Sequence, residues 1–99
     1  FAPPKPEIDL HIEQLTDNHE TMDNAGMLML QLQTFETSLD RAIGAGMHEI
    51  TFIHGAGNGV LRKEIQKRLS SFQKQKLIKF YEDARREKFG YGATKVKII

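Results

Sequence analysis

A 99-residue chain without cysteine can be neither a disulfide scaffold nor a thiolate metal centre, and none of its apolar runs approaches the ~20 residues that span a bilayer. Its length suits one domain with one core, and the lack of thiols and of a basic-then-apolar leader fits a reducing, cytoplasmic setting. The formal net charge is only +1, too little to hold a polyanion by bulk charge, yet residues 1–49 sum to −7 and residues 50–99 to +8.

Residues 1–7 hold all three prolines and read as an extended arm or linker, since proline removes a donor and restricts its predecessor. A first residue other than methionine is expected of a module from a longer polypeptide, with companion domains as neighbours. Residues 8–12 alternate with period two, predicting a strand with Ile8, Leu10 and Ile12 on one face and Asp9 and His11 on the other. A polar connection then offers Thr16, Asp17 and Asp23 as helix caps. From about Asn24, Leu28, Leu32, Phe35, Leu39 and Ala42/Ile43 form one helical stripe, which Gly44 and Gly46 end. Met27, Met29 and Met47 are expected to fill core space.

Residues 49–53 predict a short buried strand. Residues 60–72 predict a second helix, with Leu61, Ile65, Leu69 and Phe72 inward and Arg62, Lys63, Lys67 and Arg68 outward. Residues 77–82 read as a third strand by aromatic and β-branched content, with Ile78 and Phe80 inward and Lys79 and Tyr81 outward. A loop over 84–92 and an alternating strand over 93–99 complete the chain. The order β-α-β-α-β-β predicts an α/β (α+β) two-layer sandwich, a four-stranded mixed sheet with both helices on one face. Asp9, His11, Lys95 and Lys97 fall on the open face. Ligands of such sheets gather at the carboxyl ends of parallel strands, where His11 and His54 stand.

Between the second strand and the second helix runs Ile53-His54-Gly55-Ala56-Gly57-Asn58-Gly59-Val60-Leu61. Bare backbone at a helix N-terminus suits a phosphate or carboxylate, because unpaired N–H groups and the positive end of the helix dipole meet there. A dinucleotide fingerprint would need its third glycine at Val60, and the loop follows the second strand, so a nucleotide cofactor is not expected. Asp9, His11 and His54 could hold a divalent metal, though without motif spacing. The same three fit general acid–base chemistry without metal, one imidazole taking a proton from an attacking hydroxyl and the other protonating a leaving oxygen. The plain structural alternative is that both histidines cap strands and the glycines make a tight turn. His19 and His48 lie in polar connections and are expected to be solvated.

Three motifs carry a resemblance. Asp9-Leu10-His11 after an aliphatic residue resembles the Leu-Asp-Leu-His-Gly motif of the Smr (small MutS-related) domain family. Phe52-Ile53-His54-Gly55-Ala56-Gly57-Asn58-Gly59-Val60-Leu61 is similar to its His-Gly-x-Gly-x-Gly loop, and Gly92-Ala93-Thr94-Lys95-Val96 to its terminal strand. The resemblance covers residues 8–99 and implies a βαβαββ two-layer fold, nucleic-acid binding and, in some members, nicking of DNA or cleavage of RNA. It implies cleavage roles for Asp9 and His11, and substrate binding or catalysis for His54, Gly55, Gly57 and Gly59. Asn58, within that loop, is expected beside the phosphate.

One residue departs from the motif. Ile12 stands where the family has glycine, and Glu13 follows. The first is expected to narrow the site's mouth and the second to disfavour a polyanion, which weighs toward binding without cleavage. The leading expectation is a nucleic-acid-binding module acting on DNA or RNA phosphodiesters, with Lys79, Arg85, Arg86, Lys95 and Lys97 on phosphates and Tyr81 or Tyr91 stacking on bases. The alternative is a non-catalytic interaction or assembly module, with self-association through charge matching and exposed apolar residues such as Ile99.

Overall fold

In a computed structural model of the chain, which describes residues 5–55, 57, 59–84 and 92–99, one apolar cluster fixes the architecture. Leu32, Phe35, Leu39 and Ala42 from one helix and Ile65 and Leu69 from the other meet Ile50, Phe52, Ile78, Val96 and Ile98 from the sheet and Leu10 just after its first strand. Phe35 and Phe52 sit at its centre, ring edge to face with centroids 4.7 Å apart. Strands β1 (Glu7–Asp9), β2 (Glu49–Ile53), β3 (Ile78–Asp83) and β4 (Ala93–Ile98) form a single sheet in the order β1-β2-β4-β3. β1 pairs parallel with β2, and β4 runs antiparallel between β2 and β3. The predicted mixed sheet with two helices on one face is what forms, with two short additions before the first long helix. These are α1 (Ile12–Leu15) and a 3-10 turn (His19–Thr21); α2 (Asn24–Gly44) and α3 (Val60–Lys74) follow.

α2 starts where Asp23 caps it, its carboxylate accepting from the Gly26 N–H at 2.7 Å. Two strand readings need correction. The first strand ends at Asp9 rather than at residue 12, because the Asp9 carboxylate accepts the His11 N–H at 2.9 Å and turns the chain into α1. Ile12 therefore opens a helix. In β3 the expected facing is inverted from Phe80 onward, while Lys79 is exposed as expected. A bulge lets Lys79 and Phe80 share the station opposite Lys97, so Tyr81, not Phe80, pairs with Val96. Phe80 is left 41% exposed, while Tyr81 packs against the core with its hydroxyl 2.6 Å from Ser70 Oγ on α3. Met29, expected inside, is also exposed.

Tyr81→Phe is expected to lower stability by about 1 kcal/mol through the Ser70 hydrogen bond, and Phe80→Ala by less than that. Urea denaturation compares the two, and the reverse order would contradict the bulged register.

The open face of the sheet is a lattice of opposite charges. Register places Lys97 opposite Glu49 and Lys95 opposite Glu82. Lys97 Nζ lies 3.3 Å from Glu49, and Lys95 Nζ lies 3.8 Å from Glu49 and 3.6 Å from Glu82. Among the described residues no helix is long and apolar enough to cross a membrane.

Candidate functional site

The carboxyl ends of β1 and β2 lie side by side, since Asp9 pairs with Ile53 and the Leu10 N–H donates to the Ile53 carbonyl at 2.8 Å. This register brings Asp9, His11, His54 and the glycine loop together. Asp9 Oδ1 accepts twice from the same residue, from the His11 backbone N–H at 2.9 Å and from the ring Nδ1 at 2.7 Å. A carboxylate can only accept, so Nδ1 carries a proton, and in the neutral ring the lone pair falls to Nε2. That nitrogen faces Gly55, where an added Cβ would lie 2.9 Å from it. Gly55 has φ +79°, so both its backbone and its neighbour require glycine. The imidazole of His11 is anchored at one end and presented to the loop at the other. Its side chain keeps 44% of its exposure, so solvent and ligand can reach it.

His54 has the opposite character. It is buried, with Nδ1 3.0 Å from the Gly55 carbonyl and Nε2 2.9 Å from Thr94 Oγ1. The carbonyl only accepts, so Nδ1 donates, and Nε2 of the neutral ring accepts a hydrogen bond from the Thr94 hydroxyl. Desolvation is the main reason its pKa lies below the ordinary 6.5; the Gly55 carbonyl opposes that shift and the Arg62 charge adds to it. The unfolded state thus binds a proton that the folded state resists. Stability is complete above pH 6.5 and falls as pH drops below that value, by at most about 1.4 kcal/mol per pH unit. Melting curves between pH 7.5 and 5 should show this slope, and His54→Gln should flatten it.

The loop is fastened to β4. Both the His54 and the Gly55 N–H groups donate to the Gly92 carbonyl at 2.9 Å, so the Gly55 amide is spent on the fold and that residue contributes space instead. Gly57 and Gly59 carry the backbone through positive φ of 32° and 82° into α3, whose N-cap is Gly59, without a side-chain cap bond. The positive end of the 15-residue helix α3 thus follows directly on the glycine loop that His11 faces. Arg62 in its first turn reaches Asp83 at the end of β3, 2.9 Å away.

The predicted residues divide on this geometry. Asp9, His11, His54, Gly55, Gly57 and Gly59 gather at one place. Lys95 and Lys97 lie on the open sheet face in ion pairs with Glu49 and Glu82, and Lys79 is exposed at the β3 bulge. Asn58, Arg85, Arg86 and Tyr91 lie outside the described residues. Among the described residues no three His, Asp or Glu side chains are grouped to hold a metal ion, and both His54 nitrogens are engaged. Sequence reading did not single out Thr94, 40 residues from His54, or Gln31, whose amide donates to the Leu10 carbonyl at 2.9 Å. The only local signal for Thr94 was its place in the Gly92-Ala93-Thr94 motif.

Ile12, expected to narrow the site's mouth, lines a groove on the helix side with Met27, Leu28, Val60 and Leu61.

Comparison with known proteins bears on the family and the fold. The family model described as the Smr domain matches residues 8–99. "Endonuclease MutS2" of Lactococcus lactis subsp. cremoris (strain MG1363) is 45% identical over 56 residues, which are 57% of this chain and 7% of that protein. "Endonuclease MutS2" of Clostridium tetani is 39% identical over 61 residues, 62% of this chain and again 7% of the relative. The chain therefore corresponds to a small part of these proteins. The crystal structure of the Smr domain of Thermus thermophilus MutS2 superposes with a TM-score of 0.65 at 21% identity, over 96% of this chain and 99% of that one. At that identity the likeness speaks for the fold.

Proposed function

We propose that this chain, which belongs to the Smr domain family, binds nucleic acid and cleaves its phosphodiester bonds at the junction of β1, β2 and α3. The observation that carries the reading is the Asp9–His11 pair aimed at Gly55. His11 Nε2 takes the proton of the attacking hydroxyl, either an RNA 2′-hydroxyl or water, as its oxygen bonds to phosphorus; Asp9 stabilises the imidazolium that results, and the bond from phosphorus to the leaving oxygen breaks with that oxygen protonated by solvent. The phosphate oxygens rest against the loop after Gly55 and the first turn of α3, where N–H groups and the helix dipole favour negative charge. His54 holds the loop in shape through Gly55 and Thr94. The relatives' name, endonuclease, agrees in class with this chemistry, although each relative is far longer than the chain.

Phosphate contacts make binding salt-dependent. Affinity for single-stranded RNA or DNA is expected to fall about tenfold between 50 and 200 mM salt, as for two or so neutralised phosphates. Fluorescence anisotropy measures this, and no binding to any nucleic acid at low salt would sink the proposal. Cleavage of the same strands, with and without a divalent metal, completes the test. A second reading rests on the open sheet face, where Lys95 and Lys97 are paired internally and Phe80 and Ile99 are exposed. That face suits a protein partner or a second copy, and light scattering across a salt series would detect self-association.

A further inference from the structure

Beside the glycine loop a groove of about 560 Å³ opens between the N-terminal turns of α1, α2 and α3. Ile12, Met27, Leu28, Val60 and Leu61 wall it, and His54 borders it. Its volume lies in the range of small-ligand sites, roughly 300–1,000 Å³. Among the described residues no lysine, arginine, aspartate or glutamate lines it, so it is unsuited to a phosphate although it adjoins the place where one would rest. Val60 is 45% exposed at the start of α3, an apolar side chain left uncovered beside the site. Two amides, of Asn24 and Gln31, interrupt the apolar lining, and that of Gln31 is fixed by its bond to the Leu10 carbonyl.

Apolar walls, neutral polar groups at the edge and an adjoining anion site together match one chemical object, a nucleotide. Resting on the reading of His11 and the loop as a phosphodiester site, we propose that this groove is a base subsite. It receives the nucleobase next to the phosphate at the glycine loop, its faces against Ile12, Leu28 and Val60 and its edge toward Asn24 and Gln31. A base can enter only when splayed from its stack, which is least costly in a single strand or an unpaired end. The groove therefore selects single-stranded nucleic acid over duplex. Ile12 supplies a wall that glycine at this position would not.

The test compares a twelve-nucleotide single strand with an abasic strand carrying the same number of phosphates. The base-bearing strand is expected to bind about tenfold more tightly. Methyl NMR signals of Ile12, Leu28, Val60 and Leu61 should shift with that strand and not with the abasic one. Ala25→Met, an exposed position on the groove's rim, should fill the space and reduce the tenfold preference to below about twofold while leaving abasic binding unchanged. Equal affinities without methyl shifts would overturn the base subsite and leave the phosphodiester site standing. A tenfold preference that survived Ala25→Met with silent methyls would place the base elsewhere and equally overturn it. Failure of both strands to bind would overturn the phosphodiester reading and the subsite with it.

Discussion

Exchange of His11 for alanine is expected to slow cleavage by about 10²- to 10⁴-fold, the usual contribution of a positioned general base. Affinity for the uncleaved strand should be retained, because the loop backbone and the α3 terminus that would hold the phosphate do not depend on the imidazole. Asp9 acts only through His11, accepting from its backbone and its ring with one oxygen. Asp9→Ala alone should therefore produce a smaller loss, as the ring turns freely and samples both tautomers. In the double variant the Asp9 change should add nothing to the His11 change, since groups that work as one unit are not additive. Single-turnover assays on end-labelled RNA and single-stranded DNA measure all three. His48→Ala, an exposed histidine just before β2 and at the opposite end of that strand from His54, serves as the control. Undiminished cleavage by His11→Ala would remove this residue from the chemistry.

The parts of the molecule legible in the sequence are those governed by local periodicity. The α2 stripe from Leu28 to Ala42 and the strand at Glu49–Ile53 stand where spacing places them, because each buries a continuous apolar face against a neighbour. The failures have non-local or competing causes. Alternation through Ile12 is overridden by one carboxylate, as Asp9 captures the His11 N–H that a longer ladder would use. Alternation in β3 is displaced by a bulge, which depends on how β4 lies against it and leaves no mark in the residues themselves. Lys95 and Lys97 read as free cations in sequence because Glu49 lies more than forty residues away, and only register brings it within reach.

The candidate site shows the same division. Its position was legible, since two strand-end histidines and a glycine loop must meet once β1 and β2 pair in parallel. The different characters of the two histidines were not. His11 keeps half its surface open because its chain turns away into α1, whereas His54 continues the inward parity of Ile50 and Phe52 and is buried beside Thr94. Two residues with the same motif rank thus become, in the reading proposed above, a base and a brace.

Gly55→Ala should disturb the fold and the site together, and the two effects can be separated. A side chain at φ +79° carries a backbone penalty of about 1–2 kcal/mol whatever surrounds it. Its Cβ would also lie 2.9 Å from His11 Nε2, in a ring held at its far side by Asp9, so the ring must shift or the loop must. The clash should raise the total loss to about 2–3 kcal/mol, and a displacement near 1 Å should lower cleavage by about 10²-fold. In a His11→Ala background the obstructing ring is gone, and Gly55→Ala should then cost only about 1–2 kcal/mol, the backbone part. Urea denaturation of the four proteins gives the coupling energy, expected near 1 kcal/mol for residues in contact. Gly44→Ala, with nothing within 4 Å of its added Cβ, should be close to neutral and calibrates the series. An equal loss in both backgrounds would mean that His11 does not rest on Gly55, and the presentation of Nε2 to the loop would fall with that contact.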